Sequence, residues 1–127
     1  MLNEPQLQLL NFFRDKDDFP LIILFGSYAD GRQTETSDVD VAFYVEKPLP
    51  VDERLALQDK LQAVLSKTVD LIDLRDAHGA LLQEVLVRGL RIKNEDPAVY
   101  ERLLGRMLRE KENDARVLQK IVDLRLK

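Results

Sequence analysis

Residues 21–45 read LIILFGSYADGRQTETSDVDVAFYV, and two strands can be recognised in them. The first five letters, LIILF, form an unbroken apolar run after Pro20, which is typical of a strand buried on both faces. The last eight, DVDVAFYV, alternate with a period of two, which is typical of a strand whose two faces differ. One face carries Val39, Val41, Phe43 and Val45, and the other carries Asp38, Asp40, Ala42 and Tyr44. A polar loop ending at Ser37 joins the two strands.

Helices and further strands surround this pair in the sequence pattern. Predicted helices cover residues 3–15, 52–66, 77–88 and a C-terminal stretch from 96 onward, and predicted strands cover 21–25, 38–45, 69–74 and 90–93. The helix over 52–66 is expected to turn Leu57, Leu61, Val64 and Leu65 inward. Gly89 is expected to end the helix over 77–88. The order α-β-β-α-β-α-β-α predicts a small mixed α/β (α+β) domain with a helical tail.

The C-terminal segment differs in charge from the rest of the chain. Residues 102–127 contain eight Lys or Arg and four acids, a local balance of +4 in a chain whose net charge is −4. Apolar stripes at 100–108 and 115–122 flank the polar stretch Arg109–Asp114, which we interpret as the solvated middle of one continuous helix. We therefore divide the chain into a domain at 1–95 and a C-terminal helix at 96–127 that is expected to bind a partner.

The composition excludes several classes of protein. With 127 residues, 45% hydrophobic and 33% charged, the chain reads as one soluble globular domain. No apolar run approaches the roughly 20 residues of a membrane span. The absence of cysteine and the single histidine exclude a disulfide framework and a zinc site of the Cys or His type. These absences point to the cytoplasm, and the negative net charge argues against binding nucleic acid by bulk charge.

Asp38 and Asp40 are the first candidates for chemistry. Two carboxylates two residues apart on a strand lie on one face, with Cα atoms roughly 6.5–7 Å apart. Because like charges held close raise each other's pKa, such a pair favours a hard cation, and Mg²⁺ prefers one or two carboxylates together with substrate phosphates. Asp70 and Asp73 on the next predicted strand have opposite parity, so at most one of them can face the same site. Ile72 shares the parity of Asp70, which predicts a mostly buried face there.

Gly26-Ser27 follows the first strand, where a chain leaving a sheet exposes unpaired backbone N–H groups. Glycine lets a phosphate approach the backbone closely, and the serine hydroxyl adds a donor. Together with the acids, this pair predicts a nucleoside triphosphate bound with divalent cations. Cations so placed activate an attacking hydroxyl and stabilise departing pyrophosphate.

The pattern Gly26-Ser27, ten residues, Asp38-Val39-Asp40 resembles the signature of the DNA polymerase β-like nucleotidyltransferase superfamily. The short length is similar to that of its minimal nucleotidyltransferase (MNT) branch, the antitoxin partners of HEPN-domain toxins. The resemblance covers roughly residues 20–95. It implies a small mixed-sheet nucleotidyltransferase fold with flanking helices, to which a long C-terminal helix is added.

The resemblance also implies roles for particular residues. Asp38, Asp40 and Asp70 would be the catalytic and metal-binding acids, with Asp73 as the fallback for the third, while Gly26 and Ser27 would contact phosphates. The implied activity is Mg²⁺-dependent transfer of AMP from ATP to a tyrosine of a cognate HEPN toxin, within a hetero-oligomer and without direct contact with nucleic acid. Because related enzymes usually carry a second domain for the acceptor and this chain is short, we expect the acceptor to come from the partner.

Alternative interpretations stay open on the sequence alone. The two acids of the second strand could be a solvated strand face. Relatives often hold a basic residue where Asp30 stands, and Arg32 is a candidate substitute. The protein could instead neutralise its partner by occlusion through the C-terminal helix, or serve as the nucleotidyltransferase subunit for a small-molecule substrate. His78 is expected to cap a helix or lie on the surface, and no role is assigned to it.

Overall fold

The structure, a computed structural model, describes residues 2–112. Its helices are α1 (Glu4–Phe13), α2 (Ser27–Asp30), α3 (Val51–Leu65), α4 (Gly79–Gln83) and α5 (Pro97–Glu112), and its strands are β1 (Leu21–Phe25), β2 (Val39–Tyr44), β3 (Val69–Asp73) and β4 (Leu90–Asn94). A π-helical segment, Glu84–Arg88, continues α4. The predicted strands and the mixed α/β class are confirmed. Within the described range, every helix is too short or too polar to cross a membrane.

The strands form one mixed sheet in the order β3-β2-β1-β4. β1 runs antiparallel to both β2 and β4, and β3 runs parallel to β2. All residues of β1 are buried, which confirms the interpretation of LIILF as a strand covered on both faces. Because of these directions, the C-terminal end of β1 and the N-terminal ends of β2 and β3 lie at the same edge of the sheet.

Helices cover both faces of the sheet. On one face, α1 and α3 pack against Val39, Val41 and Phe43 of β2. On the other face, α4, the π-helical segment and α5 pack over Ala42 and the half-buried Tyr44. The period of two in this strand is confirmed, because its alternate side chains enter different apolar clusters.

Side chains of α3 bind the outer edge of β3. Gln58 Nε2 donates to Val69 O at 2.7 Å, and Gln62 Oε1 accepts from Val69 N at 3.1 Å. Arg54 Nη2 donates to Leu71 O at 2.7 Å. The three side chains are spaced by four residues and so share one face of the helix. They satisfy backbone groups that would otherwise be free to pair with another chain, and they fix β3 on both sides of the predicted third acid.

The predicted helix over 77–88 is not a single α-helix. α4 begins at Gly79, and the chain widens into the π-helical segment at Glu84. Gly89 ends the segment as expected, but its φ of −73° and extended backbone differ from the left-handed glycine that commonly ends a helix. The glycine is needed for close packing, because a Cβ there would overlap Ile23 Cγ2 of β1 and the carbonyl oxygen of Val85.

Two smaller predictions are wrong. Val64 is 42% exposed rather than inward, because the side of α3 that meets the sheet is defined by Leu57, Leu61 and Leu65. The connection between the first two strands is not only loop, since it contains α2 directly after Gly26. A helix of four residues is too short to show a helical period in the sequence.

The described part of the C-terminal helix, α5, packs against the sheet. It begins at Pro97, as predicted, and Val99, Leu103 and Met107 are buried in the cluster on that face. The second apolar stripe, at 115–122, lies outside the described residues, so the continuity of the helix stays a prediction. The division of the chain into 1–95 and 96–127 also stays a prediction.

α5 binds the connection between β3 and α4. Arg106 Nη2 donates to the carbonyl oxygens of Leu74 and Ala77, each at 2.6 Å. One turn later, Glu110 contacts His78 Nδ1 at 2.6 Å and accepts a bond from the first backbone N–H of α4 at 2.9 Å. These two bonds hold the pKa of Glu110 below its ordinary value. Glu110 was expected in a solvated stretch, and it instead caps α4, while His78 lies exposed at the start of that helix.

We expect Arg106→Ala to lower the free energy of unfolding by about 1–3 kcal/mol, because the carbonyl oxygens of Leu74, Arg75 and Ala77 lose a charged donor. Arg109→Ala, which removes an exposed arginine from the same helix, is the matched control and should change the free energy by less than about 0.5 kcal/mol. Urea unfolding followed by circular dichroism measures both. Equal effects of the two substitutions would contradict a stabilising role for the Arg106 bonds.

Candidate active site

Strand pairing brings the predicted site residues to one edge of the sheet. The last residue of β1 pairs with Asp40 of β2, and Asp40 pairs with Asp70 of β3. Gly26 and Ser27 continue directly from β1, and Asp38 immediately precedes β2. Residues as far apart in the chain as Gly26 and Asp70 therefore lie at one edge of the sheet.

Asp40 is half-buried, whereas Asp38 and Asp70 are exposed. Burial, followed by repulsion from Asp70, Asp38 and Glu84, raises the pKa of Asp40 to about 6. Glu84 lies on the π-helical segment and was not singled out from the sequence. It belongs to the polar side of an amphipathic helix, and only the packing of that helix on the sheet shows that this side faces the acids.

Gly26 is required by its backbone conformation and by its surroundings. Its φ of 73° and ψ of −152° lie in a region that residues with a Cβ rarely adopt. A Cβ would also overlap the Oδ2 atom of Asp40. The sequence predicted that the glycine makes room for a phosphate, and the structure shows that it makes room for this carboxylate. The acid therefore lies directly against the backbone where β1 ends.

The two candidates for the third acid lie on opposite faces of β3. Asp70 pairs with Asp40 in parallel register, so the two side chains point to the same face. Asp73 is buried on the opposite face of the strand, and its Oδ1 atom accepts a hydrogen bond from Arg75 N at 2.9 Å. The expectation of a mostly buried face around Asp70 is wrong at that residue, since its side chain is exposed at the open edge of the sheet.

An ion pair joins the last residue of α2 to the loop that follows it. Arg32 Nη2 and Nε lie 2.7 Å and 2.8 Å from Asp30 Oδ2, and both side chains are exposed. The pKa of Asp30 is held below its ordinary value by this hydrogen bond to Arg32. The guanidinium of Arg32 is thus engaged by Asp30, two positions earlier in the chain.

The carboxylates at this edge have no cationic partner in the described part of the chain. Asp38, Asp40 and Asp70 form no ion pair with any residue from 2 to 112. Within that same range, no three acidic, histidine or cysteine side chains are grouped closely enough to hold a metal ion by themselves. The site is therefore a cluster of acids without an ion-pair partner among the described residues.

Two cavities differ in their relation to this cluster. An open cavity of about 270 Å³ adjoins Asp38 and is lined by residues 35–38 and 66–68, Lys67 among them. A larger one, of about 650 Å³, lies at the opposite edge of the sheet, between residues 17–20 and 45–49. None of the predicted site residues lines the larger cavity, so its size does not connect it with their chemistry.

Residues 8–98 match the Polymerase beta, Nucleotidyltransferase family over most of the chain. The chain belongs to this family. Over 80 residues, 61% of its length, this nucleotidyltransferase is 40% identical to the protein adenylyltransferase MntA of Shewanella oneidensis, and the match spans 58% of MntA. The chain thus spans less than two thirds of that relative.

Solved structures extend the likeness to the whole fold. One chain of a crystal structure of a toxin–antitoxin with AMP-PNP is 30% identical, with a TM-score of 0.76, over 99% of this chain and 100% of that chain. A second, 27% identical with a TM-score of 0.69 over 97% of each chain, comes from a complex of the tri-AMPylated Shewanella oneidensis HEPN toxin with MNT antitoxin. The predicted nucleotidyltransferase fold and the resemblance to the MNT branch are confirmed.

For this nucleotidyltransferase we expect Asp40→Asn to raise stability at about pH 7.5 and to change it little at about pH 3. The pKa of Asp40 in the folded protein, about 6, lies above the ordinary value of 3.8, so the folded state holds a proton that the unfolded state has released between these values. Wild-type stability therefore falls as the pH rises from 3.8 to above 6, and asparagine removes this contribution. Urea unfolding of both proteins in EDTA at both pH values measures it. A variant less stable than wild type at the higher pH would contradict the raised pKa of Asp40.

Proposed function

We propose that this protein is a Mg²⁺-dependent adenylyltransferase that transfers AMP from ATP to a tyrosine of a cognate HEPN toxin and thereby acts as its antitoxin. The observation that carries the proposal is the meeting of Gly26, Asp40 and Asp70 at one edge of the sheet. A similar protein is named a protein adenylyltransferase, and a similar structure holds an AMPylated HEPN toxin, which supports the same activity here. The need for ATP favours the cytoplasm as the place of reaction.

The donor set suits a divalent cation. A half-buried carboxylate with a raised pKa gains from a nearby positive charge, and this applies first to Asp40. Mg²⁺ is commonly held by one or two carboxylates plus substrate phosphates, so the chain need not form a complete cage. We assign Asp38 and Asp40 to cation binding and Asp70 as the third acid. When bound, Mg²⁺ would polarise the α-phosphate and offset the charge of departing pyrophosphate.

Gly26 and Ser27 hold the nucleotide phosphates in this proposal. The backbone N–H groups of the turn and the Ser27 hydroxyl are donors that suit phosphate oxygens. The acceptor tyrosine oxygen attacks the α-phosphorus, and the bond from that phosphorus to the oxygen bridging to the β-phosphate breaks. Pyrophosphate leaves, the tyrosine gives up its proton to a base or to water, and AMP is joined to the tyrosine through a phosphodiester.

An acceptor on another protein fits the openness of the site. Asp38 and Asp70 are exposed, and the cavity of about 270 Å³ beside Asp38 gives access from solvent. A side chain projecting from a partner can therefore approach the acids without an opening motion of this chain. The proposal assigns nucleotidyl transfer to residues 1–95 and contact with the toxin to residues 96–127, on the basis of the separate charge of the C-terminal segment.

Replacing Asp38 and Asp40 together by Asn should lower the transfer of labelled AMP from ATP to the co-purified toxin by about a hundredfold or more, because both proposed cation ligands lose their charge. The complex with the toxin should persist. Asp59→Asn, on the exposed side of α3, is the matched control and should leave transfer unchanged. Mass spectrometry of the toxin, which detects the adenylyl group on tyrosine, measures the outcome.

Two results of the same experiment would favour other functions. If the double variant neutralises the toxin as well as wild type does, occlusion is the better account. If no tyrosine is modified but a small molecule in the extract gains AMP, the protein is the nucleotidyltransferase subunit for a small-molecule substrate.

Asp70 and Asp73 give a sharper test of the third acid. We expect Asp70→Asn to lower AMP transfer by about tenfold or more without lowering the unfolding midpoint, since the side chain is exposed beside Asp40 and its charge repels that carboxylate. Asp73→Asn should instead lower stability and leave the rate per folded molecule unchanged, because its carboxylate binds the backbone of Arg75 on the other face. The reverse pattern would assign the role to Asp73.

A further inference from the structure

The cavity beside Asp38 lies between the loop that precedes β2 and the loop that precedes β3. It measures about 270 Å³, and Lys67 is the cationic member of its described lining. The hydroxyl-bearing members of that lining are Thr36, Ser37, Ser66 and Thr68. Ammonium and hydroxyl groups donate hydrogen bonds, so the cavity suits a ligand with several acceptor oxygens.

Hydrogen bonds fix both loops that form the cavity. Val39 N donates to Thr68 O at 2.9 Å, which joins the loop before β3 to the residue that follows Asp38. Thr34 N donates to Ser37 Oγ at 2.8 Å, and Ser37 N donates to Thr34 O at 3.1 Å, so the other loop is closed into a turn. The lining is therefore held in place before a ligand arrives, which lowers the entropic cost of binding one.

The position of Lys67 connects this cavity with the proposed phosphate site. Its Nζ atom lies 5.8 Å from the centroid of the Tyr28 ring, within the range of a cation–π contact. Tyr28 is a buried residue of α2 and directly follows Ser27. Lys67 therefore contacts the helix that begins at Ser27 and also lines the cavity that adjoins Asp38.

The ammonium group of Lys67 forms no ion pair with a described residue. Arg32 differs, because its guanidinium lies 2.7 Å from Asp30 Oδ2. Two acids also line the cavity, but Glu35 is exposed to water, and Asp38 is assigned to the divalent cation, which would offset its charge. The ammonium group is therefore available to a phosphate, which a lysine binds as a point charge.

The proposed reaction requires positive charge where the leaving group forms. When AMP is transferred, the bond between the α-phosphorus and the oxygen bridging to the β-phosphate breaks, and pyrophosphate leaves with that electron pair. A nucleotide whose α-phosphate lies at Gly26 and Asp40 has its remaining phosphates close to Asp38, because a cation on the two acids binds several phosphate oxygens. The cavity there has room for roughly nine water molecules of about 30 Å³ each, which is enough for a pyrophosphate group.

We infer that this cavity holds the β- and γ-phosphates of the nucleotide and that Lys67 binds them there. The inference deepens the proposed function and rests on it, since it requires the α-phosphate at Gly26 and Asp40. Lys67 is a binding residue in this account, and its charge offsets that of pyrophosphate as it leaves. Two other accounts compete with it: a purely structural contact between Lys67 and Tyr28, and a cavity that holds the nucleoside instead.

The test is isothermal titration calorimetry of Mg-ATP, Mg-tripolyphosphate and AMP with the full chain and its variants. Lys67→Gln should weaken the binding of ATP and of tripolyphosphate by about tenfold or more and leave AMP binding within about twofold, because AMP brings no phosphate into the cavity. Lys67→Arg keeps the charge and should bind ATP and tripolyphosphate within about threefold of wild type. Lys60→Gln, on the exposed side of α3, is the matched control and should bind all three probes as wild type does.

Three results would overturn the inference. The first is an unchanged affinity of Lys67→Gln for ATP and tripolyphosphate. The second is a loss for ATP and AMP but not for tripolyphosphate, which would assign the cavity to the nucleoside. The third is an equal loss for all three probes with a lower melting temperature, which would assign Lys67 to its contact with Tyr28.

The same measurements separate the inference from the proposed function. If Lys67→Gln binds as wild type does and the toxin is still modified, the inference falls and the proposed function stands. If wild type shows the expected dependence on Lys67 but never modifies the toxin, the inference stands and the proposed function falls. If wild type binds neither ATP nor tripolyphosphate, both fall.

Discussion

The contact between the carboxylate of Asp40 and the backbone of Gly26 sets the geometry on which the rest of the site depends. Antiparallel pairing places Asp40 opposite the last residue of β1, and the absence of a side chain at Gly26 lets its carboxylate lie against the chain. The same contact partly buries the acid, and burial is the largest cause of its raised pKa. Parallel pairing then adds Asp70 beside it, so strand directions alone concentrate negative charge at this edge.

Such a cluster costs stability, because like charges are held close and one of them is removed from water. Clusters of this kind are characteristic of functional sites, where the favourable partner arrives with a ligand. In this molecule, Asp40 and Asp70 lie at the edge of the sheet where Gly26 and Ser27 follow β1. In the proposed function, that ligand is a nucleoside triphosphate with a divalent cation, whose positive charge would offset these carboxylates.

Hydrogen bonds from α5 fix the position of α4 and the π-helical segment beside the site. Arg106 binds three carbonyl oxygens of the connection after β3, and Glu110 caps the start of α4. At the C-terminal end of the π-helical segment, Gly89 packs closely against Ile23 of β1. The position of the π-helical segment, and of the polar side chains that it turns toward the acids, therefore depends on α5 as well as on the sheet.

Much of this arrangement could be predicted from local sequence. The run LIILF is a central buried strand because every residue is apolar, and the alternation in DVDVAFYV separates two faces because successive side chains on a strand point in opposite directions. Because Asp70 and Asp73 are three residues apart on a strand, they point to opposite faces, so only one of them could be the third acid. The spacing of Gly-Ser and Asp-Val-Asp predicted the family, which the comparisons confirm.

Other features could not be predicted from the sequence. The choice of Asp70 as the neighbour of Asp40 depends on parallel register, which no local pattern encodes. The contact that requires Gly26, the outward position of Val64 and the proximity of Glu84 to Asp40 all depend on how elements distant in the chain pack together. Local sequence sets which residues can share a face, because side-chain direction follows the backbone period. Long-range packing decides which faces of these elements are in contact, because a face becomes buried only against another segment, and that segment is often distant in the sequence.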